Sequence, residues 1–236
     1  MALENDPIGL AIQDFERTQK NAEIIVSSDL FDDDAIPVAH LFRTFNEMPE
    51  LEKQALKLCT GAVLDVGAGA GCHMRHLVDQ GLSPLAIDIS AGAVDYMQRT
   101  GFNAELKTIF EIENQQFDTI LLLMNGIGLA GSMEKLPAFL IQLKKILRPG
   151  GKILCDSSDI IYMYEDEDGA IWIDLNDGYY GEVQFNMQYK NAATGWFPWL
   201  YIDFENLSDE AAAAGLRCTF IFEGENNHYL VSLEHL

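Results

Sequence analysis

The chain has 236 residues, 48% of them hydrophobic, which is enough for one sizeable α/β domain but not for two. Its 37 acidic and 15 basic residues give a formal net charge of −22. That charge argues against nucleic acid as a partner, because such binding depends on clustered Lys and Arg, and against docking on anionic lipid.

The cysteines and the first residues bear on the cellular compartment. Cys59, Cys72, Cys155 and Cys218 form no CxxC pair, so neither a zinc site nor a disulfide framework is indicated. The stretch "MALENDPIGLAIQDFE" carries acids where a signal peptide would carry basic residues, and no apolar run approaches membrane-spanning length. We therefore expect a soluble cytoplasmic protein without a metal.

The first 55 residues are predicted to form a helical cap. "DLFDDDAIP", residues 29–37, is typical of an acidic loop, and "VAHLFRTF" places apolar residues at helical spacing. A helix is predicted over "PELEKQALKLC", ending at Gly61.

From residue 62, short apolar strands alternate with amphipathic helices. The predicted strands are "AVLDV", "LAIDI", "AELKTI", "FDTILLLM" and "KILCD", the last following a turn at "RPGG". Ser90 and Ser132 are predicted to cap the second and third of the intervening helices, and Gly101 to end the second. This alternation predicts a mostly parallel sheet covered on both faces.

Residues 156–207 interrupt the alternation. "GEVQFNMQYK" and "WLYIDFEN" are typical of antiparallel strands, so this segment is predicted to be a β insertion. After it, "SDEAAAAG" predicts a capped helix, and "LRCTFIFEG" and "NNHYLVSLEHL" predict two strands joined through "GENN".

The glycine-rich loop after the first of these strands is the main functional signal. A strand, a turn and a helix place Gly67, Gly69 and Gly71 at the carboxyl edge of the sheet, where ligands of such folds bind. Side-chain-free residues let the backbone approach a ligand closely. Cys72 stands where a dinucleotide-binding GxGxxG pattern requires its third glycine, which disfavours a pyrophosphate ligand.

Two aspartates refine the choice of ligand. Asp65, two residues before the loop, would repel a diphosphate and attract a cation. Asp88, at the end of the second strand, can accept hydrogen bonds from both hydroxyls of a ribose. A nucleoside whose tail carries an ammonium and a carboxylate satisfies the loop and both acids.

The motifs "VLDVGAGAG" and "LAIDIS" resemble the first two motifs of the class I S-adenosylmethionine-dependent methyltransferases. "FDTILLLMN" and "LRPGGKIL" are similar to later motifs of that family, and the resemblance covers roughly residues 50–236. It implies a doubly wound α/β fold with a seven-stranded sheet of order 3-2-1-4-5-7-6. A methyltransferase domain would then span residues 56–236, with the cap at 1–55 and the insertion at 156–207 on the acceptor side.

The resemblance also implies a set of cofactor contacts. Asp65 would lie near the amino group of S-adenosyl-L-methionine, Asp88 would hold the ribose, and Ile89 would cover the adenine. The stretch after the third strand, from Thr108, offers no obvious acid for the adenine amino group. Residues implied to contact the cofactor are Asp65, Gly67, Ala68, Gly69, Gly71, His73, Asp88, Ile89, Ile109, Phe110, Asn125 and Gly126.

The implied reaction is direct in-line methyl transfer to an unidentified small-molecule acceptor, which needs orientation and no enzyme nucleophile. His73 could serve as a base or a cofactor contact, or be structural. Arg43 could meet the cofactor carboxylate or form a surface ion pair, and "EDED", residues 165–168, is predicted to be a solvated loop. Candidates to line an acceptor pocket, or alternatively a small core of the insertion, are Tyr179, Tyr180, Trp196, Phe197 and Trp199.

Two alternatives stay open from the sequence. A noncatalytic, regulatory S-adenosylmethionine-binding module would carry the same loop beneath a cap that excludes any acceptor. A nicotinamide-dependent oxidoreductase is disfavoured by Cys72 and Asp65. After the fourth strand the chain reads "MNGIG", not the asparagine-proline-proline-aromatic motif of amino-group DNA or protein glutamine methylation.

Overall fold

The computed structural model describes residues 5–166, 168 and 178–236. Parts of the predicted insertion and of the acidic run 165–168 therefore lie outside the described residues.

The α-helices are α1 (Pro7–Thr18), α2 (Glu50–Lys57), α3 (Cys72–Asp79), α4 (Ala91–Arg99), α5 (Leu136–Ile146) and α6 (Phe204–Ala213). The strands are β1 (Glu23–Ser28), β2 (Asp34–Pro37), β3 (Val63–Val66), β4 (Leu85–Asp88), β5 (Ala104–Leu106), β6 (Phe117–Leu122), β7 (Leu147–Ser158), β8 (Glu182–Tyr189), β9 (Ala192–Ala193), β10 (Phe197–Leu200), β11 (Leu216–Glu223) and β12 (His228–His235). Short 3-10 segments, among them Val38–Phe42 and Gly126–Ala130, join several of these elements.

A seven-stranded sheet forms the centre of the fold. Its order is β11-β12-β7-β6-β3-β4-β5, which is the predicted order 3-2-1-4-5-7-6 counted from β3 and read from the other edge. The five strands from β3 to β7 pair in parallel, and β12 pairs antiparallel with β7 and β11. All four residues of β3 are buried, as expected for a central parallel strand covered on both faces. The predicted α/β architecture is confirmed.

A second, antiparallel sheet covers one end of the first. Its order is β10-β8-β1-β2, with β9 paired to β8, so the predicted β insertion is present and an N-terminal hairpin joins it. The expectation of helix and loop over residues 29–37 was wrong for Asp34–Pro37, which form β2. In β1, Ile24 and Val26 are buried in the alternating pattern of a strand. Its partner β8 lies far away in the sequence, so local propensity alone does not reveal the pairing.

Two predicted helix starts were also wrong. α5 begins at Leu136 rather than at Ser132, whose carbonyl accepts hydrogen bonds from Lys135 and Leu136 in a preceding turn. α6 begins at Phe204, because the side chain of Asp203 accepts a hydrogen bond from the N–H of Asn206 and caps the helix there. The predicted strand "WLYIDFEN" is accordingly confined to β10.

The predicted cap of α4 is confirmed. The Ser90 side chain accepts from the N–H of Ala93, and Gly101 follows the helix with φ of +92°. Among the described residues, no helix is long and apolar enough to cross a membrane. No group of three or more His, Cys, Asp or Glu side chains in that same part of the chain is arranged to hold a metal ion.

Candidate functional site

The glycine-rich loop lies between β3 and α3 at the carboxyl edge of the parallel strands. Gly67 and Gly69 have φ of +72° and +56°, a region that favours glycine. A Cβ atom built on Gly67 would meet only Leu129 Cδ1, at 3.7 Å, and one on Gly69 only Leu41 Cδ2, at 4.0 Å. The loop therefore borders open space, bounded by the two leucines. Gly71, by contrast, packs against α4, where a Cβ would meet Met97 and Phe102 at 3.2 to 3.3 Å.

Four backbone N–H groups of the loop are already used within the protein. Those of Gly67 and Ala68 donate to the Ile87 carbonyl at 2.9 and 3.3 Å, and that of Gly71 donates to the Ala68 carbonyl at 2.9 Å. The N–H of Gly69 donates to Asp88 Oδ2 at 2.8 Å. The loop thus offers shape and not a cradle of free donors, which disfavours a pyrophosphate ligand.

Asp88 lies at the end of β4 and fixes the geometry of this edge. In addition to the bond from Gly69, its Oδ1 accepts from the N–H of Ser90 at 2.8 Å. Burial raises the pKa of the Asp88 carboxyl, although the hydrogen bonds from Ser90 and Gly69 oppose that rise. Each oxygen keeps a further lone pair, so the carboxylate can still accept bonds from a diol.

Hydrophobic side chains follow β4 and β5 on the same edge. Ile89 is 64% exposed and Phe110 is 57% exposed, both unusually high for large apolar residues. Ile109, which precedes Phe110, is buried in the main core instead. Of Ile109 and Phe110, only Phe110 is therefore available at the surface for contact with the cofactor. Thr108 is engaged in a local cap, donating through its N–H and hydroxyl to Glu111 at 2.7 and 2.9 Å.

Four buried charged side chains form a chain beneath the loop. Arg43 donates to Glu52 Oε2 at 2.6 Å, and the same oxygen lies 2.8 Å from His73 Nε2. His73 Nδ1 is 3.9 Å from Asp65 Oδ1. Each of the four is at most 5% exposed. Arg43, left by the sequence as a surface ion pair or a cofactor contact, is therefore not in a surface pair. It is held in the interior by Glu52, which the sequence interpretation missed.

The pKa values of Glu52 and His73 follow from the charges on either side of them. Burial alone would raise the pKa of Glu52, but the hydrogen bond to His73 and the charges of His73 and Arg43 hold it below its usual value. Burial alone would lower the pKa of His73, but Cys72, Asp65 and Glu52 together raise it well above its usual value. The histidine is thus held as a cation.

Both ends of this charge chain keep an unused polar atom. Within the described residues, Arg43 Nε and Asp65 Oδ2 are buried without a hydrogen-bond partner. Unpaired buried polar atoms are costly and call for a reason. One end offers a donor on a cation and the other an acceptor on an anion, a pair that matches the carboxylate and ammonium of an amino acid.

The turn after β6 lies at the same carboxyl edge as the glycine loop, because β6 pairs in parallel with β3. Met124 and Asn125 have φ of +66° and +56°, and Asp156 holds this turn by accepting from the N–H groups of Met124 and Gly126 at 3.1 and 2.9 Å. His228 Nε2 lies 2.8 Å from Asp156 Oδ2. Asn125 itself accepts from Ser158 at 3.0 Å. Asp156 was not predicted, although an acid that ends a buried strand is a signal that could have identified it.

The predicted aromatic residues separate into groups. Tyr179 donates to Asp203 at 2.5 Å and Tyr180 donates to Asp159 at 2.7 Å, so both hydroxyls are engaged within the protein. Trp196 is 58% exposed. Phe197 and Trp199 lie together on β10, with ring centroids 6.3 Å apart.

Trp199 contacts the 3-10 segment Gly126–Ala130 directly. A Cβ on Gly128 would lie 2.2 Å from Trp199 Nε1, so only glycine allows the indole to approach this closely. The same segment carries Leu129, which borders the glycine loop. The small sheet and the glycine loop therefore meet across one short segment.

Comparisons with known proteins agree with this geometry. Residues 63–151 match a family model described as a methyltransferase domain. A comparison with curated proteins found no match. A crystal structure of an S-adenosylmethionine-dependent methyltransferase from Bacteroides fragilis, in complex with S-adenosyl-L-homocysteine, is 46% identical, with a TM-score of 0.93 over 100% of this chain and 98% of its own.

More distant structures share the fold. The CcbJ methyltransferase from Streptomyces caelestis is 15% identical, with a TM-score of 0.59 over 84% of this chain and 96% of its own. An S-adenosylmethionine-dependent methyltransferase from Clostridium acetobutylicum ATCC 824 is 14% identical, with a TM-score of 0.55 over 79% of this chain and 89% of its own. At such identities the likeness concerns architecture alone.

Proposed function

The chain belongs to the S-adenosylmethionine-dependent methyltransferases, and from this premise we propose that it methylates a small-molecule acceptor by direct in-line transfer from S-adenosyl-L-methionine. The observation that carries the proposal is the pair of unpartnered buried atoms, Arg43 Nε and Asp65 Oδ2, at the two ends of a buried charge chain. The zwitterionic tail of the cofactor would supply the missing partner at each end. The open space beside Gly67 and Gly69 fits the same ligand.

Each predicted contact has a role in this proposal. Asp88 holds the ribose hydroxyls, Ile89 and Phe110 cover the adenine, and Asp65 faces the ammonium. Gly67, Ala68 and Gly69 shape the wall along the methionine, Gly71 lets the loop pack closely on α4, and Asn125 and Gly126 flank the opening for methyl transfer. Ile109 supports Phe110 from the core.

His73 is proposed to position Asp65 and not to act as a base. It is buried, lies 2.8 Å from Glu52 and has its other ring nitrogen 3.9 Å from Asp65 Oδ1. The opposite charges of the His73 ring and the Asp65 carboxylate attract each other, which holds Asp65 in place. A base on the protein is needed only if the acceptor must lose a proton before attack.

The bound cofactor would supply a methyl group on a sulfonium, and a lone pair of the acceptor would attack the methyl carbon while the C–S electron pair leaves with sulfur. The chain then contributes binding, orientation and exclusion of water, effects worth several orders of magnitude in rate. Neither a noncatalytic regulatory module nor a nicotinamide-dependent oxidoreductase finds support in the comparisons. A cytoplasmic location and the domain boundaries at residue 55 stay predictions.

The ribose assignment is tested by replacing Asp88 with alanine. We expect S-adenosylmethionine to bind about 1 to 3 kcal/mol more weakly, the usual cost of losing a charged hydrogen-bond partner. Isothermal titration calorimetry measures the change. Asp79→Ala removes an exposed aspartate at the end of α3 and should leave the dissociation constant unchanged. Equal affinities for Asp88→Ala and the wild type would contradict the assignment.

A further inference from the structure

The inner face of the small sheet carries a group of aromatic side chains that the cofactor does not need. Phe185 on β8 is in register with Phe197 on β10, and their ring centroids are 6.4 Å apart. Phe185 also meets Tyr201 edge to face at 6.2 Å, and Phe197 meets Trp199 at 6.3 Å. We call these four residues, Phe185, Phe197, Trp199 and Tyr201, the inner aromatic face. All four are only partly buried, so they present surface to a ligand.

This inner aromatic face adjoins the point where the methyl group would be transferred. Trp199 packs on Gly128 in the segment after β6, and Leu129 of that segment borders Gly67 in the glycine loop. Ile202, the residue after Tyr201, donates its N–H to Ser157 Oγ at 2.9 Å, and the neighbouring Asp156 holds the turn at Gly126. An acceptor seated on the inner aromatic face would therefore lie next to the carboxyl edge of β6.

The hydroxyl of Tyr201 stands out within this face. Tyr179 and Tyr180, on the same insertion, both donate to aspartates, whereas the Tyr201 hydroxyl has no hydrogen-bond partner among the described residues. It can donate one hydrogen bond and accept two. A half-buried phenol with its polar tip unused is a typical way to orient a ligand.

The charges around this hydroxyl are acidic. Burial raises the pKa of Tyr201 to about 12, and the neighbouring carboxylates of Asp34 on β2 and Asp156 contribute to the rise. Within the described part of the chain no cationic side chain acts on it. Asp34 is in register with the buried Val26 and so belongs to the same face of the small sheet. Such surroundings favour a neutral or cationic ligand group over a carboxylate or phosphate.

We propose that the inner aromatic face is the acceptor site and that the acceptor is an amine on an apolar, ring-sized scaffold. This rests on the proposed function. The scaffold packs on Phe185, Phe197 and Trp199, and the Tyr201 hydroxyl accepts a hydrogen bond from the amine nitrogen. The bound ammonium first gives one proton to water, and the freed nitrogen lone pair then forms the new N–C bond while the C–S bond breaks and its electron pair stays on sulfur. The methylammonium product then gives one proton to water.

The test compares matched ligands of one size. Calorimetry on the full chain saturated with S-adenosylhomocysteine measures binding of 2-phenylethylamine, 2-phenylethanol and 3-phenylpropanoate. We expect the amine to bind at least about tenfold more tightly than the alcohol and the acid, a difference typical of one well-placed polar contact. Turnover of the amine is followed as release of S-adenosylhomocysteine from S-adenosylmethionine. If the acid or the alcohol binds as well as the amine, or if the saturated protein binds no amine, the proposal is overturned.

Two variants separate this site from general effects on the insertion. Tyr201→Phe keeps the ring and removes the hydroxyl, and we expect it to weaken amine binding by about tenfold. Gln188→Ala changes an exposed residue on the opposite face of β8 from Phe185 and should leave amine binding unchanged. Equal effects of the two variants, with S-adenosylhomocysteine binding intact, would count against the acceptor site. Failure of the wild type to bind S-adenosylhomocysteine would instead refute the proposed function.

Discussion

At the scale of single residues, the site depends on charges that have been removed from water. Arg43, Glu52, His73 and Asp65 are each at most 5% exposed, and their order alternates in sign. Isolated buried charges are costly, and pairing compensates only when geometry and hydrogen bonding are good. Glu52 and His73, the two inner residues, are joined by the 2.8 Å contact between Glu52 Oε2 and His73 Nε2. Arg43 and Asp65, the two outer residues, each keep one polar atom without a partner among the described residues. The inner pair is therefore hydrogen-bonded within the protein, and the outer atoms remain for a ligand.

The raised pKa of His73 predicts a specific dependence of stability on pH. A histidine whose pKa is higher in the folded state than its usual 6.5 stabilises the fold fully below that value, and this contribution is lost as pH rises through the folded-state pKa. We expect the melting temperature of the wild type, relative to His73→Gln, to fall as pH rises from the usual 6.5 through the higher folded-state pKa. Thermal unfolding followed by circular dichroism measures it.

His76, on the same helix, supplies a control of opposite sign. Burial lowers its pKa, so its neutral form is favoured in the folded state. The stability of the wild type relative to His76→Gln should therefore rise as pH increases through the usual 6.5. Parallel profiles for the two variants would contradict the buried charge chain.

At the scale of elements, the strands of the large sheet could be predicted because each is a short apolar run beside a strong local signal. The glycine loop after β3, Ser90 before α4 and the turn before β12 are all encoded within a few residues. The N-terminal hairpin could not be predicted in this way, since β1 pairs with β8 and its strand propensity competes with the acidic, proline-ended sequence that follows. The start of α5 was missed because Ser132 is a good cap by type but lies in a turn that precedes the helix.

The site residues likewise fall into those that a local sequence pattern identifies and those that depend on long-range contacts. The predicted residues on the glycine loop and at the end of β4 lie together at one edge, because parallel strands bring their carboxyl ends together. Glu52 and Asp156 were missed because their importance comes from contacts made across long sequence separations, to His73 and to the turn at Gly126. Such contacts leave no local pattern in one sequence.

The contact between β10 and the segment Gly126–Ala130 can be tested with a double-mutant cycle. Gly128→Ala would place a Cβ 2.2 Å from Trp199 Nε1, so we expect the free energy of unfolding to fall by about 1 to 3 kcal/mol through overpacking. Chemical denaturation measures this loss. In a Trp199→Leu background the same substitution should cost much less, because the indole is gone. Equal costs in both backgrounds would show that the contact does not constrain the small sheet.

At the scale of the whole molecule, distant parts of the chain meet to cover one sheet edge. The N-terminal hairpin and the insertion form one antiparallel sheet, and α1 contributes Asp14, which accepts from Tyr189 and Lys190 at the end of β8. Residues separated by more than 170 positions are thus in direct contact. The layer that covers the proposed acceptor site therefore depends on the N-terminal elements as well as on the insertion.

The chain has 37 acidic and 15 basic residues, and the resulting net negative charge affects the whole molecule. Self-repulsion of a large net charge destabilises the compact state, and dissolved salt screens it over about 10 Å at 0.1 M. The exposed ion pairs of the described residues, such as Arg217 with Glu234 at 2.8 Å, each contribute little because solvent screens them. We therefore expect the melting temperature to rise between about 20 and about 300 mM sodium chloride. Differential scanning calorimetry measures it, and a melting temperature that falls with salt would mean that attractive surface pairs outweigh the net repulsion.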